Sequence, residues 1–288
     1  MNFSVAVIDI GSNSVRLMLK GENVKRKYLI TTRLAEGKAN NRLAQNSIDR
    51  TVNAVIIFFK KAIELNCKNI YAFATAAVRS SINGNEFIDL VKQKTGLTVD
   101  VISGELEAQI ALLGALNGCD GGVIDIGGAS TEIAVKQGKE TVYSVSYPIG
   151  AVSLNNKFNG DASGAINYLS NLIKGVRRNF NCKFFGIGGT ITTIGSIALD
   201  LNDYKPEIFS GTTISYDCIK QKVDLLLSLT PEQIKAQFTV ASARADIIGL
   251  GGLILLSVMK AYGINEITVS DSDNLEGYLE YILNEKKD

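Results

Sequence analysis

The chain has 288 residues, enough for one large or two medium domains, and its 46% hydrophobic and 20% charged composition is typical of a globular protein. The formal net charge of +1 excludes a global field for nucleic acid, although residues 1–122 hold 15 basic against 11 acidic residues and the remainder 15 against 18. The absence of histidine excludes Ser-His-Asp and Cys-His catalysis, so acid–base chemistry must fall to carboxylates, lysine or tyrosine.

The four cysteines lie far apart without a C-x-x-C pair, which argues against zinc-ribbon and thioredoxin-like proteins and favours reduced thiols in the cytoplasm. Met1 is followed within a few residues by a predicted strand, so we expect no signal peptide. The longest apolar stretch, Ile247 to Met259, has 13 residues and three glycines. It is too short to cross a bilayer, and we expect no membrane contact.

In chain order, hydrophobic periodicity predicts a three-stranded meander and then alternating helices and strands in the first half. After a first strand that ends at Gly11, the predicted strands are 15–20, 28–32, 69–74 and 97–102. The predicted helices are 47–66, 85–95 and 105–116, with a turn or helix at 75–79.

The second half repeats this scheme. Its predicted strands are 122–126, 131–136, 141–147, 183–187 and 266–270. Its predicted helices are 163–178, 216–229, 231–244, 245–262 and 275–286, and helical periodicity also resumes at Ile191 after the fourth of these strands. Gly118 to Gly122 is the predicted crossing point between domains 1–121 and 122–288. The last helix is a candidate to pack back on the first domain.

One pentapeptide, Val-Ile-Asp-Ile-Gly, occurs at 7–11 and again at 123–127, an offset of 116 residues. Each copy predicts a buried strand that enters a tight turn, and Asp9 and Asp125 at the strand ends are placed to hold a cation. Consecutive amides and the Ser and Thr hydroxyls around each turn could bind phosphate; the residues that follow the two turns are Ser12, Asn13 and Ser14, and Gly128, Ala129, Ser130, Thr131 and Glu132. An ordinary Asp-x-Gly turn explains one copy. The repeat instead predicts two similar domains that face each other across one polyanionic ligand.

A third glycine-rich turn, Gly186 to Thr190, follows another predicted strand. It does not fit the dinucleotide pattern G-x-G-x-x-G, because Ile191 stands where the last glycine belongs. The sequence leaves two interpretations of this turn open: it supports a phosphate or nucleotide, or it simply joins a strand to a helix.

Two glutamates, Glu105 and Glu107, begin a predicted helix, where the helix dipole alone would favour them. Two positions apart on a helix, they cannot both face one cleft. Glu107 shares its stripe with Ala111 and Gly114, small residues that allow another element to approach. Because hydrolysis needs a group that orients or deprotonates water, Glu107 is a candidate catalytic residue.

Arg79 follows a strand end, a common place for a guanidinium that binds two phosphate oxygens; a surface arginine is the alternative. The cluster Lys25 to Lys27 is expected to be solvated hairpin surface; for a long substrate, steering of a chain of phosphates is the alternative.

These segments resemble, in this order, the exopolyphosphatase and guanosine pentaphosphate phosphohydrolase (Ppx/GppA) family of the acetate kinase, sugar kinase, Hsp70 and actin superfamily. The resemblance covers nearly the whole chain and is carried by 8–14, 74–79, 102–108, 123–132 and 186–190. It implies an α/β fold with two RNase H-like (actin-like ATPase) domains and an active site in the cleft between them.

The resemblance also implies residue roles. Glu107 matches the glutamate that activates water, Asp125 and Glu132 match divalent-metal carboxylates, and Asp9 lies in the facing phosphate loop as a further metal candidate. The phosphate-binding positions are Gly11, Ser12, Asn13, Ser14, Arg79, Gly127, Gly128, Ala129, Ser130, Thr131, Gly189 and Thr190. The implied cofactor is Mg²⁺ or Mn²⁺, with K⁺ as a further candidate.

The expected function is hydrolysis of terminal phosphoanhydrides in inorganic polyphosphate, or in guanosine pentaphosphate to give the tetraphosphate, by a cytoplasmic enzyme. A non-catalytic regulator that binds polyphosphate or guanosine tetraphosphate, and a kinase of the same superfamily, are the alternatives. A homodimer stays open, and no nucleic acid partner is expected.

Three departures from the family pattern stand out. Ala129 replaces a glycine and narrows the second loop, and Leu106 replaces a glutamate that often precedes the catalytic one. Residues 273–277 read Asp-Asn-Leu-Glu-Gly without the usual arginine. The sequence also lacks the helical domains of longer members, which leads us to expect short polyphosphate or the nucleotide as substrate.

Overall fold

The computed structural model describes residues 3–176 and 178–285. In the first half, these residues form one sheet and four helices: β1 (Val5–Ile10), β2 (Ser14–Lys20), β3 (Lys25–Thr31), α1 (Gln45–Glu64), β4 (Asn69–Ala74), α2 (Ala76–Arg79), α3 (Gly84–Thr95), β5 (Asp100–Val101) and α4 (Gly104–Leu116). The strand order is β3-β2-β1-β4-β5, an antiparallel meander continued by two parallel strands.

The second half forms a six-stranded sheet with helices around it. Its elements are β6 (Gly121–Ile126), β7 (Thr131–Gln137), β8 (Glu140–Tyr147), α5 (Ala151–Phe158), α6 (Ala162–Leu172), β9 (Phe184–Ile187), α7 (Gly188–Ala198), α8 (Pro206–Phe209), β10 (Thr213–Ser215), α9 (Tyr216–Ser228), α10 (Pro231–Gln237), a 3₁₀ turn (Thr239–Arg244), α11 (Ile248–Ala261), β11 (Glu266–Val269) and α12 (Asn274–Glu285). The order β10-β11-β9-β6-β7-β8 repeats the meander and its parallel extension, and β10 adds an antiparallel edge.

The two meanders correspond residue by residue at their first hairpins. In the β1–β2 hairpin, Asp9 lies opposite Arg16; in the β6–β7 hairpin, Asp125 lies opposite Glu132. Strands β1 and β6 are buried almost throughout, because helices cover both faces of their sheets. Each hairpin therefore delivers its aspartate to a buried sheet end.

Helices α4 and α12 lie side by side, and each packs on the sheet of the other half. The apolar face of α12 lies on the first sheet, where Tyr278 stacks on Phe73 with ring centroids 4.3 Å apart. The small face of α4, with Ala111, lies on the second sheet.

Two glycines allow α4 and α12 to touch. A methyl group at Gly114 would overlap the carbonyl oxygen of Asp273, and one at Gly277 would overlap that of Ile110. The prediction that Gly114 lets another element approach Glu107's helix is confirmed. The contact places the start of α12, at Asp273, beside the C-terminal end of α4, at Gly114.

Several predicted boundaries were wrong. The helix predicted at 163–178 ends at Leu172, and Gly175 follows with a φ of 84°, a left-handed conformation that stops a helix; Arg177 lies outside the described residues. The helix predicted at 231–244 is broken at Phe238, whose φ is −130°. Of the strand predicted at 97–102, only β5 pairs with its neighbour. Helix α5 was not predicted, and the predicted helix end at Lys286 lies outside the described residues.

None of the helices in the described part of the chain combines the length and apolar character that crossing a membrane requires.

Candidate active site in the cleft

The turns after β1 and β6 have the same hydrogen-bonding geometry. The amide of Gly11 donates to the carbonyl of Ser14, and the amide of Gly127 donates to the carbonyl of Ser130, both at 3.0 Å. The correspondence between the two copies of the pentapeptide therefore extends from sequence to backbone conformation.

Neighbouring segments engage the carbonyl groups of both turns. The carbonyls of Ser12 and Asn13 accept hydrogen bonds of 2.8–3.0 Å from three amides of the segment after β3. Those of Gly127 and Gly128 accept bonds of the same lengths from the first three amides of α5. No residue in the described ranges accepts a hydrogen bond from the amides of Ser12 and Asn13, or from those of the two residues after Gly127. Each turn thus leaves amide donors unused, the arrangement that binds phosphate.

The two turns meet at Gly128. A methyl group there would lie 2.8 Å from Cβ of Ser12 and 3.1 Å from the amide nitrogen of Asn13. The first distance is shorter than a Cβ atom shows in real structures and the second is tighter than most, so the close approach of the turns depends on glycine. The turns consequently face each other, as the repeat predicts.

Two cavities are lined by these turns. The carboxylate cavity, of about 390 Å³, is lined by both turns and by Asp9, Glu107 and Asp125. The lysine cavity, of about 840 Å³, is lined by Lys38 and Arg79 among others. Ser130 lines both cavities and therefore marks their junction.

In the first hairpin, the carboxylate is paired with a cation. Arg16 donates from Nε to Asp9 Oδ2 at 2.9 Å and from Nη1 to Asp273 Oδ2 at 2.5 Å. Burial raises the pKa of Asp9, and the guanidinium of Arg16 opposes that rise. The pKa of Asp273 falls below its ordinary value, because Arg16 and Lys27 outweigh the effect of burial.

In the second hairpin, two carboxylates face each other without a cation between them. Asp125 accepts a hydrogen bond from Asn274 Nδ2 at 2.7 Å, and Glu132 accepts one from Ser146 Oγ at 2.7 Å. Burial is the main cause that raises the pKa of Asp125 to about 6. Burial, followed by the charges of Glu107 and Asp125, raises the pKa of Glu132 well above its ordinary value.

Glu107 lies in the first turn of α4, whose N-cap Ser103 accepts a hydrogen bond from the amide of Leu106 at 3.1 Å. Arg79 Nη1 donates to Glu107 Oε2 at 3.0 Å and to the carbonyl of Ile102 at 2.7 Å. Burial and then the charge of Asp125 raise the pKa of Glu107 to about 7, against the lowering effect of Arg79. A carboxylate that titrates near neutrality can take a proton from water.

Glu105 shows the opposite environment. Its side chain is exposed, and the amides of its own helix start hold its pKa below the ordinary value. Only Glu107 of the two helix-start glutamates lines the carboxylate cavity.

Most predicted site residues line one of the two cavities. The carboxylate cavity receives Asp9, Gly11, Ser12, Asn13, Ser14, Glu107, Asp125, Gly127, Gly128, Ser130 and Gly189, and the lysine cavity receives Arg79, Ala129 and Ser130.

Thr131, Glu132 and Thr190 line neither cavity. The hydroxyl of Thr131 donates to the carbonyl of Ile149 at 2.7 Å, because side chains alternate along β7. Thr190 packs against Gly251 of α11. Glu132 is buried opposite Asp125 in the β6–β7 pairing, and one of its oxygens accepts a hydrogen bond from Ser146.

Sequence reasoning missed several residues of the carboxylate cavity. At the level of sequence, Asp273 and Asn274 stood out only because their segment lacks the family's usual arginine. In the structure, Asp273 accepts a hydrogen bond from Arg16, and Asn274 donates one to Asp125. Arg244 lies against Gly189 without an ion pair to any described carboxylate, and burial lowers its pKa to about 10.

The expectation that Lys27 is solvated was wrong. Its ammonium lies 2.9 Å from Glu276 Oε1 and 3.5 Å from Asp271 Oδ2. Strand alternation, which puts Lys25 and Lys27 on one face of β3, was the signal that could have found this.

The oxygen donors of the carboxylate cavity suit a divalent cation only in part. No three acidic or cysteine side chains among the described residues converge to form a metal centre. Asp9 and Asn274, which line this cavity, each keep one buried side-chain oxygen without a hydrogen bond. Glu132, outside the lining but opposite Asp125, also keeps one. Because Mg²⁺ commonly binds one or two carboxylates and completes its shell with water and phosphate oxygens, these donors fit an ion that arrives with substrate.

The fold identifies the class of protein. The chain has the actin-like two-domain architecture, and it is similar to a solved Ppx/GppA family member from Aquifex aeolicus, with a TM-score of 0.79 and 29% identity over 99% of this chain and 98% of that one.

The model of the Ppx/GppA phosphatase family matches residues 24–285, and the chain belongs to this family. It is 27% identical to exopolyphosphatase 2 of Mycobacterium tuberculosis, over 95% of this chain and 96% of that protein. It is 29% identical to a bifunctional 3-dehydroquinate synthase/phosphatase of Fusobacterium nucleatum, over 96% of this chain and 46% of that protein. The chain therefore spans about half the length of the Fusobacterium relative and nearly all of the Mycobacterium one.

Proposed function

We propose that the protein hydrolyses terminal phosphoanhydride bonds and releases orthophosphate from inorganic polyphosphate, from guanosine pentaphosphate, or from both. The observation that carries the proposal is Glu107, a buried carboxylate with a pKa of about 7, in a cavity that two amide-bearing turns line. Its relative from Mycobacterium, named exopolyphosphatase 2, supports the same chemistry.

In the proposed reaction, the turns bind the terminal phosphate through amides and through the hydroxyls of Ser12 and Ser130. Ionised Glu107 accepts a proton from a water molecule as the water oxygen bonds to the terminal phosphorus. The bond between that phosphorus and the bridging oxygen breaks, and its electrons stay with the shortened chain. Phosphoryl transfer depends mainly on such positioning and on neutralising the charge of the phosphate oxygens.

Asp9 and Asp125, at the two strand ends, are the residues that we propose to hold Mg²⁺ or Mn²⁺ together with substrate oxygens. When bound, the ion would neutralise charge on the phosphate and lower the cost of the buried carboxylates beside it. Arg79 holds the Glu107 carboxylate in place and favours its ionised form.

A side-by-side assay tests the proposal. We expect purified protein with Mg²⁺ to release phosphate from polyphosphate or guanosine pentaphosphate, and we expect EDTA to abolish the release. Saturable binding of either compound without turnover would replace hydrolysis with the regulator alternative. ATP-dependent phosphorylation of an acceptor without polyphosphate hydrolysis would replace it with a kinase.

A further inference from the structure

Asn274, the first residue of α12, makes one side-chain hydrogen bond and leaves one buried atom unbonded. Its Nδ2 donates to Asp125 Oδ2 at 2.7 Å, and Asn274 lines the carboxylate cavity. Because an ionised carboxylate only accepts hydrogen bonds, the amide nitrogen must face Asp125, and the amide oxygen is the atom left over. That oxygen is buried, and no described residue donates a hydrogen bond to it. A buried acceptor without a donor costs free energy, so a ligand that brings positive charge would stabilise it.

A second unbonded oxygen is linked to the first through Arg16. Asp9 Oδ1 is buried in the lining of the same cavity without a hydrogen bond, while its Oδ2 accepts one from Arg16 Nε at 2.9 Å. Nη1 of the same guanidinium donates to Oδ2 of Asp273, the residue before Asn274, at 2.5 Å. One arginine therefore ties β1 to the start of α12, and with them the two residues that carry unbonded oxygens.

The start of α12 holds the backbone of Asn274 in place. The carboxylate of Asp273 accepts a hydrogen bond from the amide of Leu275 at 3.0 Å, and the amide of Asp273 donates to Glu276 Oε2 at 3.0 Å, two reciprocal bonds that cap the helix. Gly277 lies against the backbone of α4. The side chain of Asn274 takes no part in these contacts, so it can be replaced without removing the cap.

Asn13 also lines this cavity, and it is held differently. Neither of its amide atoms has a hydrogen bond to a described residue. Nothing in this part of the chain therefore decides whether its nitrogen or its oxygen faces a ligand. For Asn274 the carboxylate of Asp125 makes that choice, and the oxygen is the free atom.

From these contacts we infer that Asn274 is a ligand of the divalent cation, which its amide oxygen binds together with Asp9 Oδ1 while its amide nitrogen holds Asp125. The inference rests on the proposed function, which places the cation at Asp9 and Asp125, and it adds α12 as a third element at the ion. Carboxylate and carbonyl oxygens are the ligand types that suit Mg²⁺ and Mn²⁺. A neutral amide also supplies a ligand without adding negative charge beside an anionic substrate.

Mn²⁺ binding tests the inference, measured in the presence of orthophosphate by electron paramagnetic resonance of the free ion. Asn284→Ala, at the exposed far end of α12, is the matched control. We expect Asn274→Ala to raise the Kd for Mn²⁺ by about 10–100-fold and the control to leave it unchanged. Asn274→Asp keeps an oxygen ligand and adds a charge, so its Kd should equal that of wild type or fall below it. A purely structural role would make both substitutions at 274 weaken binding alike. That result, or equal Kd values in wild type and Asn274→Ala, would overturn the inference.

Thermal stability gives a second readout that does not depend on turnover. A bound ion stabilises the folded state more strongly as its Kd falls. The rise in melting temperature on adding a fixed concentration of Mn²⁺ should therefore be smaller than that of wild type in Asn274→Ala, and at least as large in Asn274→Asp. In EDTA, Asn274→Asp should melt below wild type, because the new carboxylate lies beside Asp125. The same Mn²⁺-dependent rise in wild type and Asn274→Ala would contradict the assignment.

These measurements separate the inference from the proposed function. If wild type binds Mn²⁺ and the Kd values follow the expected order, but no phosphate is released from polyphosphate or guanosine pentaphosphate, hydrolysis fails and the assignment of Asn274 stands. If wild type hydrolyses either compound while Asn274→Ala keeps the wild-type Kd for Mn²⁺, hydrolysis stands and the inference fails. A wild-type protein that binds no Mn²⁺ counts against both.

Discussion

The two copies of the pentapeptide build hairpins with the same turn but opposite electrostatics. In the first hairpin the residue opposite the aspartate is Arg16, and in the second the equivalent residue is Glu132. Arg16 forms ion pairs with both Asp9 and Asp273 within the fold. The second hairpin instead concentrates negative charge, and the pKa values of Asp125 and Glu132 rise. The same turn therefore carries an aspartate that is paired with Arg16 in the first hairpin. In the second hairpin it carries carboxylates that form no ion pair with the described residues.

This difference shows how a duplicated turn can bind two kinds of partner at once. Amides of both turns suit the phosphate, which is an anion, whereas the carboxylates of the second hairpin, with the unbonded Oδ1 of Asp9, suit a cation that accompanies it. A cleft with two acidic hairpins would repel phosphate, and one with two neutralised hairpins would lack ligands for the metal.

The largest effect is expected at Glu107, whose pKa is raised by burial and then by the charge of Asp125 in the second hairpin. Glu107→Gln should lower kcat by about 10²–10⁴-fold with little change in KM, because it removes the proton acceptor but keeps the shape. Glu105→Gln, two residues away and exposed at the lysine cavity, is the control and should keep the wild-type kcat. Phosphate-release kinetics on both variants check this, and equal rates for Glu107→Gln and wild type would remove the assigned base.

A smaller loss is expected when the two turns are pushed apart. Gly128→Ala places a methyl 2.8 Å from Cβ of Ser12, and a displacement near 1 Å of the phosphate donors should lower kcat/KM by about 10²-fold. Ser12→Gly in the same protein removes that clash and should recover part of the loss, which a double-mutant cycle of kcat/KM would measure. Additive losses would show that the turns do not meet as described.

The third prediction compares how substitutions in the two hairpins change the free energy of unfolding. Arg16→Met leaves Asp9 and Asp273 without their cation and should lower the free energy of unfolding by about 3 kcal/mol. Glu132→Gln relieves a like-charged cross-strand pair and, without divalent ions, should raise it by up to about 1 kcal/mol. Urea denaturation in EDTA measures both changes, and changes of the same sign would contradict the contrast between the hairpins.

The smallest expected effect is on the pH dependence of stability. The folded pKa values of Asp125 and Glu107, about 6 and about 7, lie above those of unfolded chains. The folded state then binds more protons than the unfolded state from about pH 4 to 7, so these groups lower the free energy of unfolding as pH rises through that window. In EDTA, Glu107→Gln should therefore gain stability relative to wild type between pH 5 and 8. A constant difference in melting temperature across this range would rule out the raised pKa.

The sequence indicated the fold and much of the cleft, because repetition is visible in one dimension. Two identical pentapeptides predicted two facing turns, and Glu107 was separable from Glu105 by helical spacing. Asp273, Asn274 and Arg244 were not predictable, because no spacing rule links the start of α12 or the end of a 3₁₀ turn to a hairpin more than 100 residues away.

The start of helix α7 was also not predictable from the sequence. Helix α7 begins at Gly188, whose φ of 83° makes room beside Asp125, and no side-chain cap announces it. Thr190 was misplaced because the direction of a side chain in the first helical turn depends on where the helix begins.

Because α12 packs on the first sheet and α4 on the second, the order of synthesis affects how the chain reaches its native state. The first sheet buries Phe73 against Tyr278, so part of its core is supplied by residues synthesised some 200 positions later. On a ribosome, the amino-terminal half would emerge with that face uncovered and could complete its packing only after the last helix left the exit tunnel.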